Sequence, residues 1–173
     1  HYDTKRFGQF RFVGANDGGS SAAFLIELAR ALKDRRGPLT IELVLFDGEE
    51  AVVDWAGTDH TYGSREYVAN ARRDGSLAQI RAMVLVDMIG DRNLRIRREQ
   101  FSTRWLTDLF WASAGRLGHS DVFTAESMAV EDDHLPFLEA GIPAVDLIDL
   151  DYPAWHTEAD TIVRAGLTPT VVD

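Results

Sequence analysis

The sequence of 173 residues contains no cysteine, and positively charged residues are scarce in it. Without cysteine the chain forms no disulfide, and any metal ion has to be bound by His, Asp and Glu rather than by thiolates. Lys and Arg number 18 against 28 Asp and Glu, so the formal net charge is −10 at pH 7. That charge disfavours nucleic acid and anionic membranes as partners, because both are negatively charged themselves.

Three sequence features are absent, and each absence argues against a class of protein. No apolar run approaches the roughly 20 residues that a membrane-spanning helix needs. The sequence has no Gly-x-Ser-x-Gly motif, which argues against a serine hydrolase. It also has no phosphate-binding loop with a lysine, so nucleotide hydrolysis is not supported.

The patterns that are present indicate a globular α/β protein. Apolar residues make up 45% and charged residues 27% of the chain, and its length suits a single domain over residues 1–173. Three short apolar runs rich in β-branched residues predict buried strands over residues 41–46, 82–86 and 142–148. Four helical patterns accompany them, over residues 21–33, 64–73, 103–117 and 134–140. This alternation predicts a three-layer sandwich with a mixed, mostly parallel central sheet flanked by helices.

Acidic residues lie at the points where the predicted strands end. Glu49 and Glu50 follow the first strand, Asp87 follows the second, and Asp17 precedes the first helix. In open α/β sheets the carboxyl ends of the strands form one rim, where ligands bind. Carboxylates gathered there repel one another unless a positive charge lies among them, and no Lys or Arg lies beside these four residues in sequence. The pattern therefore predicts a divalent cation at this rim.

Each candidate ligand also has an ordinary structural explanation. Asp17 could cap the helix that follows it, Glu49 and Glu50 could form a solvated acidic turn, and His156 could be a surface histidine. Taken together, an Asp, a Glu and a His leave one coordination position open, which is typical of catalytic zinc sites. In such a site one of two adjacent carboxylates can bind the metal while the other moves protons.

Two further clusters have less specific patterns. His1 and Asp3 alternate along a predicted strand and share one face, so His1 could be a further ligand that Asp3 orients. A frayed terminus is the alternative. Asp132, Asp133 and His134 begin a short predicted helix, and helix capping accounts for one aspartate there but not for the pair with a histidine.

Seven motifs resemble, in the same order, those of the zinc aminopeptidase and glutaminyl cyclase superfamily: HYD, GANDGGSS, FDGEEA, YGSR, VDMIG, DDHLPFLEAGIP and WHT. They span nearly the whole chain. The resemblance implies a zinc exopeptidase-like fold, and because the sequence opens on His1 rather than Met, we expect this fold to be truncated at its ends. It also implies zinc ligands at Asp17, Glu50 and His156, with Glu49 as the general acid and base.

Two details resemble the glutaminyl-peptide cyclotransferases, and bacterial members in particular. The FDGEEA motif is followed by Trp55 and then by YGSR at nearly the cyclase spacing, and Trp155 directly precedes His156. The resemblance implies that Trp55 and Trp155 line a pocket for an N-terminal glutamine. It also implies a catalytic hydrogen-bond network of Asp87 and Asp132 beside the metal.

One position departs from the animal cyclases. These enzymes carry a histidine where this chain has Asp146, whereas bacterial relatives have aspartate there. The resemblance implies that Asp146 contacts the substrate.

Three functions remain open at this point. The first is the zinc-dependent cyclisation of N-terminal Gln to pyroglutamate with release of ammonia, which needs one zinc. The second is a dinuclear zinc aminopeptidase, in which His1 and Asp87 bind a second zinc. The third is a non-catalytic metal-binding domain, which has no need of a proton shuttle such as Glu49. In the first two functions the partner is a peptide or protein N-terminus, and the resemblance implies secretion or a periplasmic location.

Overall fold

The computed structural model describes residues 1–162, and residues 163–173 at the end of the predicted domain lie outside the described part. The helices in it are α1 (Gly19–Leu32), α2 (Tyr62–Asp74), α3 (Arg104–Leu117) and α4 (Leu135–Glu139), with one 3-10 turn at Ser76–Gln79. The strands are β1 (Met83–Asp87), β2 (Ile96–Glu99), β3 (Phe123–Met128) and β4 (Ala144–Ile148). The predicted α/β class is confirmed.

The strands of the described part form two parallel pairs. β1 pairs with β4, with Met83 opposite Ala144 and Asp87 opposite Ile148. β2 pairs with β3, and its register shifts after Ile96. Parallel neighbours need a crossover connection, and both pairs are connected through helices, as the alternation of elements predicts.

The sheet that contains β4 has helices on both of its faces. As a result, β4 is buried along its whole length. Val145 on one face of β4 belongs to a core cluster with Leu106 of α3. Ala144 on the other face belongs to a cluster with Val68 of α2 and Phe137 of α4. Side chains alternate across a strand, so α3 covers one side and α2 with α4 the other. No helix among residues 1–162 is both long enough and apolar enough to span a bilayer.

The four predicted helices overlap the four observed helices, with ends that differ by no more than two residues. Glycine accounts for the clear ends of two of them. α2 is followed by Gly75 with φ of 83° and α3 by Gly118 with φ of 84°. A residue in this left-handed conformation ends a helix, and glycine adopts it without a clash of a β-carbon.

The predicted strand over residues 41–46 is wrong, since no strand is formed there. Val44 and Phe46 do alternate inward and pack on the core, whereas Ile41 and Leu45 are exposed. Alternation predicts which side chains are buried but not the hydrogen-bonded neighbour that makes a strand. The sequence pattern also misses β2 and β3, because IRRE is mostly polar and half of FTAESM is polar, so neither forms an apolar run.

Candidate active site

Four acidic residues reach one rim of the sheet from three separate segments. Asp87 is the last residue of β1, Asp17 lies in the loop before α1, and Glu49 and Glu50 follow the segment that ends at Phe46. All four are buried, with exposed fractions between 3% and 6%. The acidic residues therefore converge, as the positions of the predicted strand ends suggest.

The loop that carries Asp17 depends on a glycine. Gly18 has φ of 85°, and a β-carbon at this position would lie 2.7 Å from the carbonyl oxygen of Asp3. An L side chain would collide with that oxygen. Gly18 therefore allows the start of α1 to lie against the N-terminal segment that contains His1 and Asp3.

His156 stands between Asp17 and Glu50. Its Nε2 atom lies 3.3 Å from Asp17 Oδ2 and 3.1 Å from Glu50 Oε1. The φ angle of His156 is 55°, in the left-handed region that residues other than glycine rarely adopt. Such strain persists only where the surroundings hold it, and it is frequent at ligand-binding sites. We call Asp17, Glu50 and His156 the metal triad.

The spacing within the metal triad fits a tetrahedral metal site. Ligand atoms about 2.0–2.1 Å from a tetrahedral zinc ion lie about 3.3 Å from one another, which matches the two distances around His156. The Oδ2 atom of Asp17 is buried and accepts no hydrogen bond from the residues that the structure describes. A buried carboxylate oxygen without a donor is costly unless a cation neutralises it. The triad could therefore hold a metal ion and leave a fourth coordination position open.

A second set of ligand atoms surrounds His1, which is buried. Its Nε2 atom lies 3.2 Å from Asp17 Oδ1 and 3.4 Å from Asp87 Oδ1. Within the described residues, this Nε2 atom has no hydrogen-bond partner. We call His1, Asp17 and Asp87 the His1 set. Asp17 belongs to the triad through one oxygen and to the His1 set through the other, so the geometry can accommodate one metal ion or two.

Asp3 connects His1 to the turn that carries Glu49 and Glu50. Its carboxylate lies 3.3 Å from His1 Nδ1 and accepts hydrogen bonds from the N–H groups of Glu49 (3.1 Å) and Glu50 (3.2 Å). Burial raises the pKa of Asp3, but these neighbours outweigh burial and hold that pKa below its ordinary value. Asp3 thus faces His1, as predicted, although residues 1–3 do not form the strand from which this was inferred.

Asp160 holds the loop on the other side of the triad, and the sequence analysis missed it. Its buried carboxylate accepts hydrogen bonds from the N–H groups of Asn16 (2.8 Å) and Asp17 (3.1 Å) and from the Tyr152 hydroxyl (3.1 Å). No local pattern marks this residue, because Asn16 and Asp17 lie 144 and 143 positions away in sequence. Only the folded chain brings them together.

Glu49 lies beside the metal triad without belonging to it. Its Oε2 atom is 3.8 Å from His1 Nε2. Burial, and after it the charge of Asp132, raises the pKa of Glu49 well above its ordinary value. Burial and the charge of Asp87 likewise raise the pKa of Asp132. A carboxyl group whose pKa is raised towards neutral pH can both take up and release a proton, which is the property of a general acid and base.

The pKa values of the two histidines show how negative the site is. Burial lowers the pKa of His156, but Asp17 and Glu50 outweigh burial and raise the pKa to about 9. Burial also lowers the pKa of His1, while Asp87 and the other carboxylates around it raise that pKa well above its ordinary value. The carboxylates therefore stabilise positive charge at this position, whether a proton or a metal ion supplies it.

The site opens into a cavity of about 440 Å³. Trp55 and Trp155 line it, and both side chains are partly exposed. Trp155 stacks on His156 with ring centroids 4.4 Å apart. Trp55 stacks on His60 at 4.3 Å and donates a hydrogen bond from Nε1 to Glu131 Oε2 at 3.1 Å. The other predicted site residues that line the cavity are Asp17, Glu49, Glu50, Asp87, Asp132 and His156.

Asp146 does not line this cavity, contrary to its predicted contact with the substrate. It is fully buried in β4, and its Oδ2 atom faces His134 Nδ1 at 3.8 Å. Ile148 lies on the same face of β4, two residues nearer to the carboxyl end of the strand, and lines the cavity instead. Two residues along a strand amount to about 6.6 Å, which places Asp146 below the floor of the cavity.

Residues 1–169 match the sequence profile of peptidase family M28. The chain belongs to this family. The resemblance stated from the seven motifs is therefore confirmed at the level of the family.

Individual proteins also resemble the chain along most of its length. Over an alignment of 200 residues, the chain is 34% identical to the glutaminyl-peptide cyclotransferase-like protein of Mus musculus. This alignment covers 99% of this chain and 52% of that protein. The crystal structure of a glutaminyl cyclase from an Acidobacteriales bacterium superposes with a TM-score of 0.87 at 44% identity, over 90% of this chain and 57% of that one. A leucine aminopeptidase precursor from Bacteroides thetaiotaomicron superposes with a TM-score of 0.77 at 28% identity, over 87% and 55% of the two chains. The chain thus spans about half the length of the curated relatives it matches.

Proposed function

We propose that this M28 chain is the catalytic part of a zinc-dependent glutaminyl-peptide cyclotransferase, which converts an N-terminal glutaminyl residue to pyroglutamate with release of ammonia. The observation that carries the proposal is the position of Glu49. This buried carboxyl group with a raised pKa lies beside the metal triad, in a cavity walled by two tryptophans. The 44% identity to a glutaminyl cyclase adds support.

The reaction needs one proton transfer and no water. The α-amino nitrogen of the substrate attacks the side-chain amide carbon, and the new C–N bond closes a five-membered lactam. The bond from that carbon to the amide nitrogen breaks, and the proton lost by the amine leaves with ammonia. Glu49 takes this proton from the attacking nitrogen and gives it to the leaving nitrogen.

The aromatic residues of the cavity bind and orient the substrate. Trp55 and Trp155 offer flat apolar faces to a folded glutaminyl side chain and exclude water from it. Trp55 needs little ordering when the substrate binds, because His60 already covers one face of its ring and Glu131 already accepts its N–H. The remaining face is available to the substrate.

The metal triad holds one zinc ion in this proposal. When bound, zinc polarises the amide carbonyl and stabilises the negative charge that develops on its oxygen. The donor spacing near 3.3 Å and the unpaired oxygen of Asp17 support the assignment. Lys5, which also lines the cavity, supports the turn, since its Nζ donates to the carbonyl oxygen of Ala51 at 2.9 Å and lies 3.8 Å from Glu50 Oε2.

The proposed function is tested by giving the zinc-loaded chain a glutaminyl peptide and leucyl anilide in parallel assays. Ammonia and free leucine are measured separately. We expect ammonia from the glutaminyl peptide and no leucine from the anilide. The same peptide with an acetylated N-terminus is the control, because it lacks the attacking amine and should release no ammonia. Leucine without ammonia would contradict the proposal.

A dinuclear aminopeptidase is the second candidate, and the His1 set favours it. The distances of 3.2 and 3.4 Å from His1 Nε2 to Asp17 and Asp87 suit a second metal ion as well as the triad suits the first. In that function Glu49 deprotonates a water molecule instead of an amine. Two zinc ions per chain together with release of leucine would favour the aminopeptidase over the cyclase.

A further inference from the structure

Asp132, Asp133 and His134 are consecutive, yet their side chains lie in three different surroundings. Asp132 lines the cavity, whereas Asp133 accepts a hydrogen bond from α2. The side chain of His134 lies neither in the cavity nor against α2. Its Nε2 atom is 3.2 Å from Glu99 Oε2 at the end of β2, and its Nδ1 atom is 3.8 Å from Asp146 Oδ2 in β4.

Hydrogen bonds fix the carboxylate of Glu99 and the backbone of Asp146. Glu99 accepts hydrogen bonds from the N–H groups of Phe101 (2.9 Å) and Ser102 (2.7 Å). The hydroxyl of Ser102 donates to Glu99 at 2.9 Å and accepts from the N–H group of Asp146 at 3.0 Å. Ser102 therefore connects Glu99 at the end of β2 with the backbone of Asp146 in β4, and the imidazole of His134 lies between the two carboxylates.

The three side chains of this arrangement are buried. His134 and Asp146 are fully buried, and Glu99 is 3% exposed. Among the ion pairs of residues 1–162, those of Glu99 and Asp146 involve His134 alone. Neither ring nitrogen of His134 has a hydrogen-bond partner within residues 1–162. In the described part of the chain, the imidazole of His134 is thus the group that both carboxylates face.

The same turn of backbone fixes Asp132. The N–H group of Leu135 donates to the carbonyl oxygen of Asp132 at 2.9 Å, and the N–H group of Asp133 donates to Asp132 Oδ1 at 2.5 Å. His134 lies between these two donors in sequence. The backbone of His134 is therefore part of the turn that holds the carboxylate of Asp132.

We propose that His134 is a positioning residue which, held between Glu99 and Asp146, fixes the carboxylate of Asp132 beside Glu49. This inference rests on the proposed cyclisation, in which Glu49 moves the proton. Loss of an outer partner of this kind typically costs 10- to 100-fold in activity, so His134→Gln should lower kcat by about that factor. KM and zinc content should stay near the wild-type values, because neither the tryptophans nor the metal triad contacts this ring.

The test compares His134→Gln with His119→Gln, which changes an exposed histidine outside the site. Ammonia release gives kcat and KM, zinc is measured per chain, and thermal unfolding reports on the fold. A fall in kcat of about tenfold or more, confined to the His134 variant and accompanied by full zinc content, supports the proposal. A folded His134→Gln protein with wild-type kcat overturns it.

A double variant keeps the proposal testable if the single variant does not fold. Glu99→Gln combined with His134→Gln removes the histidine together with one of the carboxylates that it faces, so less buried charge remains unpaired. If it folds, the double variant should show a kcat about 10- to 100-fold below the wild-type value, which is the fall expected for the loss of His134. Wild-type kcat in the folded double variant overturns the proposal.

Hydrogen exchange of the Asp133 amide separates this inference from the proposed function. In the wild-type protein this amide donates to Asp132, and it should exchange about tenfold faster in His134→Gln than in His119→Gln. If the wild-type chain releases no ammonia but the amide behaves as expected, the proposed function fails and the positioning role stands. An unchanged exchange rate in His134→Gln overturns the positioning role whatever the activity.

Discussion

Replacement of Asp160 by asparagine tests how the metal triad is supported. Asp160 Oδ1 accepts hydrogen bonds from the Asn16 amide and the Tyr152 hydroxyl, and Oδ2 accepts one from the Asp17 amide. Asparagine keeps one acceptor oxygen but replaces the other with an NH2 group, which is itself a donor. If the remaining oxygen keeps Asn16 and Tyr152 as its partners, the N–H group of Asp17 faces the new NH2 group, which is also a donor. The N–H group of Asp17 is then left without an acceptor.

One unsatisfied buried donor sets the size of the effect. Such a group costs about 1–3 kcal/mol, so we expect the free energy of unfolding of Asp160→Asn to fall by that amount. Zinc affinity should fall about 10- to 100-fold, as is typical when an outer partner of a metal ligand is lost. Urea unfolding followed by tryptophan fluorescence measures the first effect, and competition with a chromogenic chelator measures the second.

Tyr152→Phe is the matched control for this variant. It removes one hydrogen bond to the same carboxylate but leaves the N–H groups of Asn16 and Asp17 paired. We expect it to lose about 0.5–1.5 kcal/mol of stability and to bind zinc like the wild-type protein. Wild-type zinc affinity and wild-type stability in Asp160→Asn would refute the conclusion that Asp160 positions Asp17.

Three further predictions concern catalysis, stability and substrate binding. Glu49→Gln should lower ammonia release about 10²- to 10⁴-fold, because an amide cannot shuttle a proton, while the zinc content stays full. Loss of zinc in this variant would contradict the separate roles of Glu49 and Glu50. Burial raises the pKa of Glu99, but His134 and nearby donors outweigh burial and hold it below its ordinary value of 4.5. Glu99 therefore stabilises the fold fully above about pH 4.5 and loses this effect as the pH falls through its lower, folded pKa. The free energy of unfolding of the wild-type protein in urea should exceed that of Glu99→Gln by less at about pH 3.5 than at about pH 6. A difference that stays constant would refute this. Asp59 accepts hydrogen bonds from the backbone of residues 52–54 before Trp55, so Asp59→Ala should raise KM about 2- to 10-fold with unchanged kcat, and unchanged KM would contradict the role of this loop.

The candidate ligands could be predicted because each has a local sequence signal. Glu50 follows an apolar run, Asp17 precedes a helical pattern, and His156 lies beyond the last strand, so the carboxyl-end rule for α/β sheets brings them together. The order of the motifs then identifies the family. The structure adds the distances around His156, which no pattern in the sequence contains.

Other residues could not be placed from sequence, because their roles depend on long-range contacts or on depth in the sheet. Asp160 has no local motif and acts on a backbone about 140 residues away. Asp146 lies at a strand position that fits a site residue, but its depth below Ile148 follows from the register of β4. The segment over residues 41–46 has the alternation of a strand, whereas the partner that would make it one is a property of the fold.

Diffraction data collected at the zinc absorption edge from zinc-loaded crystals test the central assignment most directly. We predict an anomalous peak at zinc-ligand distance from Asp17, Glu50 and His156, with the carboxylate of Glu49 outside the coordination sphere. A zinc peak held by Glu49, or no peak at the metal triad, would contradict it.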